Sequence, residues 1–257
     1  MDLADFASEH CPLHCSRLPE FMGCEWKSLM QHLDLFSREG GPAAQTGTAM
    51  HKAVSDWHKH GKEEEAIASM KSLRDQLPLA DFREASQLFR WYAAAKENQK
   101  AKVVHCECLL QGTIAPDVYL EGTCDQIREV EGVWKIFDIK TSKLSGAFVR
   151  DWHTYQLAAY AYLASKCFHR LVLPGAVIMA RALEKNPDRA FFAYQLTKAD
   201  VAALMSIAAA RVKAVRRGQI IIAPGDHCGY CIGTTLCVER FTSYRKACHG
   251  KNSSSKA

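Results

Sequence analysis

Glu121–Lys140 reads EGTCDQIREVEGVWKIFDIK, and the way this stretch folds decides the rest of the chain. Two segments rich in β-branched and aromatic residues flank Glu131-Gly132, a dipeptide that suits a two-residue hairpin turn. Centring the hairpin there pairs Val130 with Val133 and Asp125 with Asp138. Residues directly opposite across an antiparallel pair have Cβ atoms roughly 4.5–5.5 Å apart, close enough for two carboxylates to hold one divalent cation. Lys140 points to the same face as Asp138, because strand side chains alternate with period two. The second strand is almost continuously apolar (Val133, Trp134, Ile136, Phe137, Ile139), which predicts a buried central strand ending in two charges. Burying charge is costly unless it is paired or binds a metal. An Asp-x-Lys on its own occurs roughly once by chance in a chain of ordinary composition. Its weight here comes from Asp125 and the apolar strand.

Composition sets the outer bounds. The 257 residues, 48% of them hydrophobic, suffice for one large domain with a substantial core. A formal charge of +5, from 33 basic and 28 acidic residues, leans toward a polyanionic partner without deciding the matter. No apolar run is long enough to span a bilayer, and MDLADFASEH has acidic residues where a signal peptide would carry a basic flank. A cytoplasmic protein without membrane contact is expected. Eleven cysteines in such a chain read as thiols and metal ligands rather than a disulfide framework.

Outward from the hairpin, the segment KVVHCECLL upstream alternates like a strand and carries Glu107, which either faces the same site or is an edge-strand charge. Residues 1–15 hold His10, Cys11, His14 and Cys15 without regular periodicity, and a flexible start is expected. From Ser16 the spacing of Leu18, Phe21, Met22, Leu29, Met30 and Leu33 predicts a helix that includes Cys24. Gly40, Gly41 and Pro42 end it. A second helix from Thr46–Thr48 packs Met50, Val54 and Trp57, with His51 at the edge of that face. Two more helices fill the stretch to residue 100, divided at Pro78. Beyond Lys140, FVRDWHTYQLAAYAYLASK puts Trp152, Gln156, Tyr160 and Leu163 on one helical stripe. Strands are predicted over Arg170–Arg181 and Arg189–Leu196, then a helix over Lys198–Arg217. That helix ends in Arg211, Lys213, Arg216 and Arg217, which suit its dipole and also form a phosphate-contacting patch. Residues 248–257 read as a disordered tail.

The run Cys228-Gly-Tyr-Cys231-Ile-Gly-Thr-Thr-Leu-Cys237 follows Pro224-Gly225. Three cysteines this close among turn formers point to a shared metal. They need a fourth ligand. His227, Cys248 or His249 would complete a zinc site, and Cys24 would complete an iron-sulfur cluster.

In this order the pieces resemble the PD-(D/E)XK nuclease superfamily, and within it the RecB-type and CRISPR-associated exonucleases that carry an iron-sulfur cluster. The helix histidine corresponds to His51, the first carboxylate to Asp125, the D-x-K pair to Asp138 and Lys140, and the Q-x-x-x-Y helix motif to Gln156 and Tyr160. The late cysteine run matches too, and SRLPEFMGCEWK resembles the N-terminal ligand segment. The resemblance implies an α/β, restriction-endonuclease-like fold, a mixed central sheet flanked by helices with a helical insertion and a terminal cysteine-ligated subregion. It implies a single nuclease domain over 16–247: a helical part at 46–100, a catalytic core at 101–197, and a cluster segment of Cys24 plus 224–240. It further implies a divalent-metal-dependent deoxyribonuclease, an exonuclease acting on single-stranded DNA or duplex ends, with some endonuclease activity within its range. His51, Asp125, Asp138 and the Ile139 carbonyl would ligate Mg2+ or Mn2+, and Cys24, Cys228, Cys231 and Cys237 a 4Fe-4S cluster. Lys140 would position the attacking water or stabilise the phosphate charge, and Gln156 and Tyr160 would hold the DNA strand near the metal, completing the implied catalytic set. Protein partners would be those of a recombination, repair, viral or CRISPR-adaptation complex. Two other functions compete with this one: a non-catalytic nucleic-acid-binding or assembly subunit of the same fold, and a zinc-binding interaction module.

Overall fold

The computed structural model describes residues 3–32, 42–71, 78–142, 146–223 and 237. The hairpin forms in the expected register: β3 (Val118–Val130) and β4 (Val133–Lys140) pair Val130 with Val133 and Gln126 with Phe137. Both turn residues have positive φ, 53° at Glu131 and 78° at Gly132, the turn whose twist matches that of the flanking strands.

Around this hairpin the chain builds a mixed sheet. β1 (Leu13–His14) runs parallel to β3, and β2 (Lys102–Ala115) pairs antiparallel with β3. β5 (Val172–Met179) runs parallel to β4, and β6 (Phe191–Ala193) closes the other side antiparallel to β5. The parallel β4–β5 pair needs a crossover, which the helix after Lys140 supplies. The sheet is thus an α/β arrangement with β4 and β5 central, as the apolar run of β4 predicts.

Eight helices among the described residues cover the sheet. They are α1 (Leu18–Gly23), α2 (Glu25–His32), α3 (Pro42–His60), α4 (Glu63–Lys71), α5 (Leu79–Ala94), α6 (Lys96–Gln99), α7 (Gly146–Cys167) and α8 (Lys198–Arg216). Alternation along the central strands assigns the faces. Ile136, Val177 and Met179 join α1, α2, α7 and α8 in one core, and Phe137, Ile139 and Ile178 meet α3, α4 and α5 in the other. α8 begins with a capping box in which Thr197 and Asp200 bond each other reciprocally.

Two expectations change. The start of the chain is built in rather than flexible: Phe6, Ala7, Leu13 and Cys15 are buried, and the Tyr119 N–H donates to the Ala7 carbonyl. The helix expected from Ser16 is two helices. Cys24 breaks it with an extended backbone (φ −155°, ψ 103°) while its N–H still caps Glu20. Among the described residues no helix is long and apolar enough to cross a membrane. The tail at 248–257 lies outside the described residues.

Candidate active site

β2 and β3 pair on either side of Glu107 and Asp125, through Cys106↔Gln126 and Cys108↔Cys124, so these two carboxylates face one another. Both strands change face at this point. Cys124 lies in the α7-side core, yet Gln126, two residues on, bonds to Tyr92 of α5 on the opposite side. Strict alternation would put both on one face. Glu107 supplies the local cause, since its φ of 48° is foreign to a strand and turns the backbone over as a bulge does.

The result is a three-way convergence with His51, which α3 brings across the strand ends. His51 Nδ1 lies 3.3 Å from Asp125 Oδ1 and 3.4 Å from Glu107 Oε1. His51 Nε2 lies 3.0 Å from the Ile139 carbonyl oxygen, and the Ile139 N–H donates to Asp125 Oδ2 at 2.5 Å. Ligand atoms of His51, Glu107 and Asp125 all fall within 4.8 Å of one another. Glu107, which the sequence leaves open, therefore sits in the group.

Asp138 stands next to this trio and is held differently. Lys140 Nζ donates to Asp138 Oδ1 at 3.1 Å and is 2.9 Å from Oδ2, and Gln156 Nε2 donates to Oδ1 at 2.9 Å. Oδ2 is buried with the Lys140 ammonium as its charged partner, and a carboxylate oxygen keeps a second lone pair for a further ligand. Because the carboxylate only accepts, the Gln156 amide must turn its Oε1 toward His153, whose Nδ1 lies 3.2 Å away. His153 is a neighbour that the sequence pattern did not single out; its spacing of three from Gln156 was the available signal. Tyr160, one turn beyond Gln156, is buried and packs where β3 has Gly122.

The charges compete in a small volume. Burial alone would lower the His51 pKa, but the Asp125 and Glu107 carboxylates outweigh it and raise it well above the usual value. Burial works to raise Asp125, and His51, Lys140 and the Ile139 N–H reverse that, leaving it lowered. Asp138 goes the other way: burial, with Asp125 adding to it, pushes it up to about 6 against the pull of Lys140. Oxygen donors around one imidazole fit a hard divalent cation, with the imidazole favouring Mn2+ over Mg2+.

His51, Glu107 and Lys140 open onto a cleft of about 780 Å³, lined also by Ser16, Thr48, Lys52, Ser55 and Lys59. Cys24 is buried behind α1, and Cys237 is half-buried. Cys228 and Cys231 lie outside the described residues. His10, Cys11, His14 and Cys15 form no metal-ligating group among the described residues; His14 instead pairs with Glu121 at 3.3 Å.

Strand-borne carboxylates beside a lysine, with a helix histidine at the mouth of a cleft, form on a mixed α/β sheet a group able to hold a metal ion. The chain belongs to the PD-(D/E)XK nuclease superfamily, whose profile matches residues 12–238. Among solved structures it is similar to a "putative exonuclease" from Eubacterium rectale at 15% identity and a TM-score of 0.53, covering 85% of this chain and 86% of that one. At that identity the likeness speaks for the fold. It also aligns with SSO0001 at 19% identity over 85% of this chain and 94% of that one, with a TM-score of 0.34. No curated protein sequence matches the chain.

Proposed function

We propose that this protein is a divalent-metal-dependent deoxyribonuclease that works as an exonuclease on single-stranded DNA or DNA ends. The observation that carries this reading is the convergence of His51, Glu107 and Asp125 beside the buried Asp138–Lys140 pair. His51, Glu107, Asp125, the Ile139 carbonyl and the carboxylate of Asp138 are the groups that would hold Mg2+ or Mn2+. When bound, the cation supplies Lewis-acid polarisation of the scissile phosphate and a more acidic water. Lys140 contributes the remaining positive charge at the point where negative charge develops on the phosphate. Gln156 fixes the rotation of Asp138, and Tyr160 shapes the wall behind it. Lys52 and Lys59 on the cleft-lining side of α3 suit contacts to the phosphate backbone. Because His51 must be neutral to ligate, cation loading competes with its proton.

A 4Fe-4S cluster on Cys24, Cys228, Cys231 and Cys237 belongs to the same proposal. It is supported by the path of the C-terminal stretch. The Ile221 N–H donates to Glu25 Oε2 at 2.6 Å, so the chain leading into Cys228 passes beside the residue that follows Cys24. Anaerobic purification should yield a brown protein containing iron and sulfide; a colourless protein with one zinc per chain favours the zinc site instead.

The test of the activity is digestion of end-labelled single- and double-stranded DNA with Mg2+ or Mn2+, using Asp125→Ala and Asp138→Ala as controls. Cleavage that depends on both aspartates supports the proposal. Variants that cleave like the parent overturn it.

A further inference from the structure

Arg128 is a guanidinium buried to 3% exposure, and among the described residues no carboxylate pairs with it. Neutral groups hold it. Its Nε donates to Gln126 Oε1 at 2.8 Å, and its Nη2 donates to Tyr92 Oη at 2.8 Å and Asn98 Oδ1 at 2.9 Å. Its face lies 4.4 Å from the Phe137 ring centroid. A guanidinium never accepts, so Gln126 Oε1, Tyr92 Oη and Asn98 Oδ1 all accept from it. Both ends of the Gln126 amide reach Tyr92: Nε2 lies 2.9 Å and Oε1 3.1 Å from Tyr92 Oη. His58 Nε2 lies 2.9 Å from the same hydroxyl. Burial and the facing Arg128 push the His58 pKa down to about 4, so a neutral imidazole meets Tyr92.

The network joins two elements of the candidate site. Gln126 and Arg128 are one and three residues beyond Asp125 on β3. His58 is seven residues beyond His51 on α3, a separation about 20° short of two full turns, so both histidines share one helix face. The spans also match. Seven helical residues cover ~10 Å and three strand residues cover ~10 Å. α3 is therefore fastened to β3 at two points of equal pitch, His51 to Asp125 and His58 through Tyr92 to Arg128.

We propose that Tyr92, with His58, Gln126 and Arg128, is a positioning clasp that sets the rotation of α3 about its axis and so brings His51 to Asp125. Met50 and Val54 anchor α3 in the core, and the two polar contacts on its other flank set the fine rotation that apolar packing, being non-directional, leaves loosely defined. Groups that orient ligands in this way typically change metal affinity or activity by about 10–100-fold when removed. The consequence for catalysis rests on the nuclease reading, but the clasp itself does not.

The experiment compares Tyr92→Phe, His58→Leu and His58→Gln with the parent in the full chain. The readouts are Mn2+ affinity by calorimetry, the His51 ring resonances in metal-free protein by NMR, DNA cleavage, and the unfolding midpoint. Glutamine keeps a hydrogen-bonding partner for the Tyr92 hydroxyl and leucine does not. Tyr92→Phe and His58→Leu should weaken Mn2+ binding by about 10–100-fold and displace the His51 resonances, while His58→Gln stays close to the parent. The clasp is overturned if all three bind Mn2+ like the parent with His51 unmoved, or if His58→Gln is as weak as His58→Leu at equal stability. Should Tyr92→Phe fail to fold, the two His58 variants decide. A parent that binds Mn2+ but leaves DNA intact sinks the nuclease reading alone, and a parent that binds no Mn2+ leaves the His51 resonances to judge the clasp.

Discussion

Replacing Gly122 with alanine tests the wall behind the site. A Cβ built there would stand 3.1 Å from both Cε1 and Oη of Tyr160 and 3.2 Å from Cys15 Cβ. Neither neighbour has room to retreat, since Tyr160 is 3% exposed and Cys15 is fully buried. Overpacking of this kind costs about 1–3 kcal/mol. The loss of glycine's freedom in the unfolded chain returns about 0.4–1 kcal/mol, so the net loss should be about 1–2 kcal/mol. For a domain of this size that is a drop of about 2–8 °C in Tm. Tyr160→Phe removes one of the three crowded atoms, so the double variant should lose less than the sum of the singles in a thermal double-mutant cycle. The displaced Tyr160 should lower DNA cleavage more than Mn2+ affinity. A Gly122→Ala protein as stable as the parent, or strict additivity with Tyr160→Phe, would refute the packing argument.

Asp125→Ala should lose both Mn2+ binding and cleavage, because it removes a carboxylate oxygen and the acceptor for the Ile139 N–H; calorimetry beside a cleavage assay checks this. Lys140→Ala should keep Mn2+ while cleavage falls by about 10²–10³-fold, as for loss of one electrostatic stabiliser; equal loss of both would move Lys140 into a structural role. His58 has a folded pKa near 4 against an ordinary value of 6.5, so its stabilising contribution is complete above pH 6.5 and is lost as the pH falls through 4. The urea midpoint of the parent should therefore fall relative to that of His58→Gln as the pH drops from 7 to 4.5, and a difference between the two that does not change with pH contradicts the assignment. Cys24→Ala should lose iron and sulfide during anaerobic purification; a full complement would move the upstream ligand elsewhere.

The hairpin was legible because two independent signals agree on it. Alternation fixed which residues share a face, and Glu131-Gly132 has the chemistry for two consecutive positive φ values. That register brings Asp125, Asp138 and Lys140 to one patch, whereas helical spacing only puts His51 at the edge of a packing face and Gln156 on a stripe with Tyr160, and it is the resemblance to the nuclease superfamily that nominates them for the site. Glu107 was not legible, because its position depends on a backbone inversion that a non-glycine strand residue gives no sign of in sequence. The N-terminal segment was misread for another reason. Its order comes from pairing Leu13 with Leu120, a contact between distant parts of the chain that no local pattern encodes. Nothing in the sequence around Arg128 announces that Tyr92, Gln126 and Asn98 solvate it.

The carboxylate of Glu25 bears on how the protein is made. It is buried, and it is satisfied by Arg211 Nε at 2.6 Å and by the Ile221 N–H at 2.6 Å, both supplied from the far end of the chain. During synthesis α1 and α2 emerge from the ribosome first, yet their buried charge has no counterpart until nearly two hundred further residues have followed. A nascent chain stopped before Arg211 would carry an unpaired carboxylate into an apolar setting, at a cost of several kcal/mol. Helices translated ahead of the sheet they cover are therefore among the last to be secured, and a ribosome-bound intermediate should leave α1 and α2 open to protease while the β3–β4 hairpin is already protected.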